Sequence, residues 1–318
     1  MSAIWFELEE SEQLKRSWLY REILEIPSVV EQARSRTFGA PSIFGKHVFV
    51  VARGSSQCAG MAISRLIIKR FGVTCTLLAP SDALLKTDFR GVTALIISQS
   101  GVSPDLVEAA KSIVCQGGRA ISITNSTKNL LQSVCHENIN IFAGPEKSVA
   151  ATKTFVATVI TLSNWLGYSL RYRFFEARMV PMPTCLLSML LTHQSFVFVG
   201  RGFGLGIAKE MALKVQELLG KPALALSSAD IFHGPVVSVR ESSAVVILSG
   251  GEFKKSILGL ADKLNLRSGS YISCDLPRWT GAELLILPSF YYQVLIACDL
   301  LNRPLDKPLG LNKVTETR

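Results

Sequence analysis

The sequence predicts an α/β fold made of two tandem, doubly wound parallel-sheet domains. Three observations predict it. Hydrophobic residues make up 48% of the 318-residue chain and charged residues 19%, as expected of strands buried on both faces, which read as unbroken apolar runs. These runs alternate with helical stretches in both halves. The pattern also repeats: three segments of the first half recur in order about 150 residues later, one ordinary α/β domain length.

The elements follow in order. Val48-Phe49-Val50-Val51-Ala52 is a strand that runs into Arg53-Gly54 and a small-residue turn, then an apolar helix. Its counterpart is Phe196-Val197-Phe198-Val199, followed by Gly200-Arg201-Gly202. Ala94-Leu95-Ile96-Ile97 is a strand that enters Ser98-Gln99-Ser100-Gly101-Val102-Ser103, and the helix from Pro104 follows. Its counterpart, Ala244 to Leu248, enters Ser249-Gly250-Gly251-Glu252. Arg119-Ala120-Ile121-Ser122 matches Ser270-Tyr271-Ile272-Ser273. Gly206 to Leu219 reads as one helix. Aromatic, basic and Pro-rich residues interrupt the pattern from Tyr172 to Pro183. The boundaries predicted are an N-terminal helical segment over 1–40, a first domain over 41–171, a linker over 172–186, a second domain over 187–304, and a C-terminal loop over 305–318.

Composition excludes several classes. The net charge of +9 suits anionic substrates, but no basic stripe with interleaved aromatics accompanies it, so no nucleic-acid partner is expected. Cys58, Cys75, Cys115, Cys135, Cys185, Cys274 and Cys298 show no metal-like spacing, and neither do the four histidines, so no metal site is expected. An odd number of scattered cysteines reads as reduced, buried thiols in a cytoplasmic protein. The acidic Met1–Glu12 lacks the basic start of a signal peptide. The apolar stretches Thr154–Leu170 and Leu284–Leu301 are broken by polar residues and read as buried helices or strand–helix units, so no membrane partner is expected.

Two places carry candidate chemistry. The Ser98–Ser103 turn gathers hydroxyls, a glycine and a helix N-terminus at the end of a buried strand. That is an anion site, or a helix cap. The counterpart turn has lost hydroxyls and gained Glu252, so a phosphate there would be repelled. In the second half, Glu210, Lys214 and Glu217 form one polar stripe at i, i+4 and i+7, either a salt-bridged face or a working carboxylate. His233, followed by Gly234-Pro235, sits in a turn and is either solvated or an acid/base.

With these residues in view, the chain resembles the sugar isomerase (SIS) domain family, whose domains are flavodoxin-like. It is most similar to the isomerase half of glutamine–fructose-6-phosphate aminotransferases and to stand-alone glucosamine-6-phosphate deaminases. The resemblance runs from Tyr20 onward, through Arg21–Pro27, Arg53-Gly54-Ser55-Ser56, Ser98–Gly101, Ala143–Lys153, Ala212–Glu217, His233-Gly234-Pro235 and Leu311–Thr315. It implies that Ser98, Gln99, Ser100, Gly101 and Ser103 hold a phosphate, and that Ser55, Ser56 and Val149 meet the sugar. It implies that Glu217 moves a proton between C1 and C2, with Lys214 supporting it electrostatically. His233 would assist ring opening from the other subunit of a homodimer with composite active sites. Lys313 would lie by the sugar carbonyl, able to form a transient Schiff base. No cofactor is implied.

Departures shape the expected activity. About 45 residues precede the first strand and position 2 is Ser, so a glutaminase domain, needing on the order of 100 residues, is not expected. Gly101-Val102-Ser103 replaces a family Gly-Glu-Thr, Ala151 a serine, and Phe232 a basic residue. The resemblance therefore implies conversion of glucosamine 6-phosphate and water to fructose 6-phosphate and ammonia. The alternatives are a fructosamine-phosphate deglycase, an aldose–ketose phosphate isomerase, or, in another class, a non-catalytic phosphosugar sensor.

Overall fold

A computed structural model of the chain describes residues 10–43, 45–168, 182–237, 239, 243–266 and 269–313. The chain opens with α1 (Glu12–Arg16), α2 (Trp18–Leu24) and α3 (Ile26–Arg34). It divides into two compact units. Of the described residues, one unit holds 28–145 and 153–168, and the other holds 10–27, 146–152 and 182–313.

The first unit carries β1 (His47–Ala52), α4 (Gly54–Phe71), β2 (Thr74–Leu78), β3 (Val92–Ile97), α5 (Pro104–Cys115), β4 (Arg119–Thr124), α6 (Leu130–Val134), β5 (Glu137–Asn140) and α7 (Lys153–Trp165). Its five strands are parallel, in the order β2-β1-β3-β4-β5. The central strands are mostly buried, as expected of a parallel sheet covered on both faces: Thr93 to Ile97 are all buried. The edge strand β2 alternates between exposed and half-buried positions. Val51, Ala94, Ile96, Leu106, Ala110 and Ile113 belong to the core packed between β3 and α5. Every residue of α7 except Asn164 is buried, as the apolar stretch beginning at Thr154 predicts. Strand order reverses between β1 and β3, and Ala52 pairs with Ile97. Both strands therefore release the chain at one level, and this places the Arg53 turn beside the Ser98 loop.

The second unit carries α8 (Cys185–Thr192), β6 (Phe196–Gly200), α9 (Phe203–Lys214), β7 (Ala223–Ser227), β8 (Ala244–Ser249), α10 (Lys254–Ile257), α11 (Leu260–Leu264), β9 (Tyr271–Asp275) and α12 (Leu287–Leu300). The sheet is parallel, in the order β7-β6-β8-β9, which is the arrangement of β2-β1-β3-β4. Val199, Val245, Ile247, Ile231 and Leu260 belong to its core.

Three expectations are adjusted. The predicted linker 172–186 lies outside the described residues up to 181, and Cys185 and Leu186 already belong to α8. The tail residues Val314 and Thr315 also lie outside them. The helix predicted over Gly206–Leu219 changes character at its end: α9 stops at Lys214, and Val215–Leu219 forms a π-turn. Not every thiol is buried, since Cys115 and Cys185 are exposed at helix ends. Ala282–Leu300 has the length and mean hydropathy (1.3) of a membrane-crossing helix, but 89% of its most apolar window is buried in the protein.

Candidate functional site

At the first unit's switch point two helix N-termini meet the ends of β1 and β3. The first amides of a helix have no intrahelical acceptor. At α4 the Arg53 side chain does not cap them, and Ser55 and Ser56 stand half-buried in the first turn. At α5 the cap position is Ser103, whose hydroxyl makes no capping bond. The helix-cap alternative for Ser103 is therefore not realised. Arg53 Nε donates to Asp105 Oδ2 at 2.7 Å, tying the two turns together.

The Ser98–Ser103 loop is rigidly held. Ser98 is buried, and its hydroxyl accepts the Gly101 N–H at 3.2 Å. Ser100 Oγ is 3.4 Å from the Val102 nitrogen. Asn125 N–H donates to the Gln99 carbonyl at 2.9 Å, and Leu131 N–H to the Gly101 carbonyl at 3.1 Å. The Gln99 and Gly101 carbonyls are thus engaged within the protein, and the Gly101 amide is held by the Ser98 hydroxyl. Gly101 has φ +68°, and a β-carbon there would lie 2.5 Å from Asn129 Cγ. Only glycine satisfies both limits. Asn125 also braces the next stretch, donating to the Gly144 carbonyl at 2.7 Å and accepting from Ala143 N–H at 2.8 Å.

In the second unit, Lys214 is fully buried at the end of α9, with its ammonium bonded to Glu217 and 3.6 Å from Glu210 Oε1. Burial alone would lower its pKa, but Glu210, Glu217 and the charge of Glu146 reverse the shift and raise it. The ammonium is thus fixed in its charged form. Tyr291 donates to Glu210 at 3.1 Å. Glu217 keeps a partly exposed side chain (21%). It lies inside the π-turn, where the fifth residue of the turn displaces it from the regular helical stripe. Lys313 donates to Glu146 Oε2 at 3.0 Å and to the Ser148 carbonyl at 2.7 Å. Glu146 is itself anchored by the Thr152 amide at 3.0 Å. The buried Glu22 receives the Lys147 and Ser148 amides and the Ser148 hydroxyl. Burial raises its pKa against those bonds. Half-buried Val149 donates to the Asp306 carbonyl at 2.8 Å.

The second sheet's switch point is filled differently. Glu283, 2% exposed, packs against the Ser249–Glu252 turn. A β-carbon on Gly251 (φ +60°) would lie 2.5 Å from Glu283 Oε1, and one on Gly204 would lie 3.0 Å from it. Burial pushes this carboxyl up to about 7, helped by the charge of Glu252.

The structure thus gathers Ser55, Ser56, Ser98, Gln99, Ser100, Gly101 and Ser103 at one switch point. It joins Lys214 to Glu217, and Lys313 to Glu146 and Ser148. His233 is exposed in the turn after Asp230, whose carbonyl accepts its N–H at 2.9 Å, and shares no hydrogen bond with Glu217 among the described residues. Sequence reasoning missed Glu22 and Glu146 as anchors, although both stand within segments that carry the resemblance. It also missed Glu283, which is hidden in an apolar run. No group of three or more metal-binding side chains occurs among the described residues.

Comparison with known proteins agrees with this architecture. Residues 45–164 match the SIS domain. A glutamine–fructose-6-phosphate aminotransferase (isomerizing) of Pyrobaculum aerophilum is 27% identical over 259 residues, 73% of this chain but 43% of that protein. The chain thus spans less than half the length of that relative. A proposed phosphosugar isomerase of Silicibacter pomeroyi superposes with a TM-score of 0.76 at 26% identity, covering 91% of this chain and 99% of the other. A glucosamine-6-phosphate deaminase of Thermotoga maritima superposes at 0.74 and 19% identity, covering 95% and 100%, which is likeness of fold. Residues 45–164 of this chain thus carry the likeness to the SIS domain.

Proposed function

We propose that the protein deaminates and isomerises an amino-sugar phosphate, converting glucosamine 6-phosphate and water to fructose 6-phosphate and ammonia. The observation that carries this reading is Glu217: a partly exposed carboxylate set in a π-turn, with a buried, permanently charged Lys214 bonded to it. The phosphate would sit on the Ser98–Ser103 loop, where serine hydroxyls and the positive end of the α5 dipole favour an anion. His233 would assist ring opening, contributed across a homodimer. In the open-chain sugar, Glu217 would take the proton from C2 and return it to C1. The electron pair of the C2–H bond would form the C1=C2 bond of an enolamine as the aldehyde oxygen takes a proton; protonation at C1 with loss of an N–H proton would leave a C2 imine, to which water adds, and ammonia departs as the ketone forms. Lys313, anchored by Glu146, would place its charge near the sugar carbonyl.

The test is ammonia and fructose 6-phosphate formation from glucosamine 6-phosphate, set beside galactosamine 6-phosphate and fructosamine 6-phosphate. Glu217→Gln keeps the shape and removes the base, so turnover and solvent-deuterium incorporation at the transferred carbon should fall by roughly 10²–10⁴-fold. Release of ammonia from fructosamine 6-phosphate alone would instead identify a deglycase. Isomerisation without ammonia release would identify a ketose isomerase. Tight binding without turnover would identify a sensor.

A further inference from the structure

A cavity of about 550 Å³ opens beside β5, the edge strand of the first sheet. It lies two strands away from β3, whose loop is the anion site described above, so at one strand spacing per step it is displaced by roughly 10 Å. Its volume is that of a metabolite-binding cleft. Arg36, Phe38, Ile139, Asn140, Phe142 and Trp165 are among its walls.

Two donors in this wall lack acceptors. Arg36 Nε and Asn140 Nδ2 are both shielded from solvent and have no hydrogen-bond partner among the described residues. Native proteins rarely leave such groups unpaired, because a desolvated donor without an acceptor is unfavourable. The other end of the Asn140 amide is used, since its Oδ1 accepts the Phe142 N–H at 2.7 Å. The Arg36 guanidinium is centred 3.5 Å over the Phe142 ring, which fixes the plane of its donors. Phe142 holds φ +48°, a conformation that residues with a β-carbon seldom adopt, and strain of this kind gathers at ligand sites. The Glu137 carboxylate also lines the cavity, but it already accepts from the Ser42 hydroxyl and from Arg119 at 3.4 Å. What remains in this wall is one guanidinium nitrogen and one amide nitrogen without acceptors, in a lining that also includes Phe38, Ile139 and Trp165.

We propose that this cavity is a second ligand site for a small organic anion. Its carboxylate or phosphate oxygens would accept from Arg36 Nε and Asn140 Nδ2, and its flat apolar body would pack on Phe38 and Trp165. The proposal stands apart from the sugar chemistry. Its test is calorimetric titration with benzoate and with phenyl phosphate, on the parent and on protein carrying Ser98→Ala and Ser100→Ala, where the anion loop is disabled. At least one probe should bind both proteins. Arg36→Lys keeps the charge but loses the Nε donor, and should weaken binding at least tenfold. Asn140→Asp keeps the acceptor for Phe142 and replaces the free donor with an anion, and should abolish binding. Both variants should keep the parent's unfolding temperature. Trp165 fluorescence should change on binding, and this change should vanish in Trp165→Phe. Binding of benzoate alone identifies a carboxylate site, and binding of phenyl phosphate alone identifies a phosphate site. The proposal is overturned if neither probe binds, if both donor substitutions leave binding unchanged, or if Trp165 does not respond.

Discussion

Lys214 is the residue whose removal should cost most. Its side chain and that of Glu210 are both at 0% exposure, with Glu217 closing the triad. Lys214→Met preserves much of the volume and deletes the charge, which strands the Glu210 carboxylate in the interior. Breaking a buried ion pair from one side costs about 3–5 kcal/mol, a large share of a typical stability of 5–15 kcal/mol. In the parent, the raised pKa of Lys214 means that its contribution is full below the unfolded value and is lost only as pH climbs through the still higher folded value. The parent should thus show no slope from this lysine near neutrality. In the variant the desolvated Glu210 has its pKa driven upward. Its penalty should therefore be full at pH 8 and shrink toward pH 5, where the carboxyl protonates. Urea denaturation at both pH values, with an unchanged m-value, measures this. Adding Glu210→Gln to Lys214→Met should recover most of the loss at pH 8. A loss below about 1 kcal/mol there, the scale of an exposed pair, would refute the reasoning, as would one that is the same at pH 5.

The other predictions concern binding, assembly and pH. Ser100→Ala should weaken phosphosugar affinity by about 1.5–3 kcal/mol, one hydrogen bond to a charged group, and calorimetry showing equal affinity for the phosphorylated and unphosphorylated sugar would remove the loop from the site. Mixing inactive Glu217→Gln and His233→Ala proteins should restore part of the activity if His233 acts across a dimer; no recovery after verified subunit exchange would place each site within one chain. Glu283, with its carboxyl raised to about 7, binds its proton more tightly folded than unfolded, so the parent should lose stability, on the order of 3 kcal/mol, as pH rises from about 4.5 to 7, with no further loss above. Glu283→Gln should flatten that fall, and an unfolding-temperature difference that does not vary between pH 5 and 8 would contradict it.

What the sequence revealed depended on how strongly each element was patterned. β1, β3, β6 and β8 are buried along most of their length, so their composition alone marked them. The edges carry weaker signals. β5 reads Glu-Asn-Ile-Asn, and only Ile139 is buried, so no strand is predicted there. The Ser98–Ser103 loop was legible as a candidate because a glycine and several hydroxyls follow a buried strand. The π-turn was not, because Glu210, Lys214 and Glu217 keep helical spacing in sequence whether or not the backbone inserts a residue. Glu22 and Glu146 were illegible as a pair of anchors, since their partners Ser148 and Lys313 lie 126 and 167 residues away. Only the folded chain brings such carboxylates to their donors.

The two switch points share a frame and differ in what fills it. In the first unit, serine hydroxyls line the turn after β3, and the Gln99 and Gly101 carbonyls are tied back by the amides of Asn125 and Leu131. A phosphate bound there, as the proposed function requires, would supply acceptors to such a turn. In the second unit, glycines at 204 and 251 clear the space, and the chain's own Glu283 occupies it. A second anion would meet a buried carboxyl there, with Glu252 beside it. The reactive-looking groups of this unit accordingly lie elsewhere. Lys214 ends the 12-residue α9, roughly 18 Å along the axis from the turn where that helix begins. The matching strand orders thus set different groups at opposite ends of corresponding helices: at the N-terminus of α4, where a dipole favours an anion, and beyond the C-terminus of α9, where the π-turn holds Glu217 against a fixed ammonium.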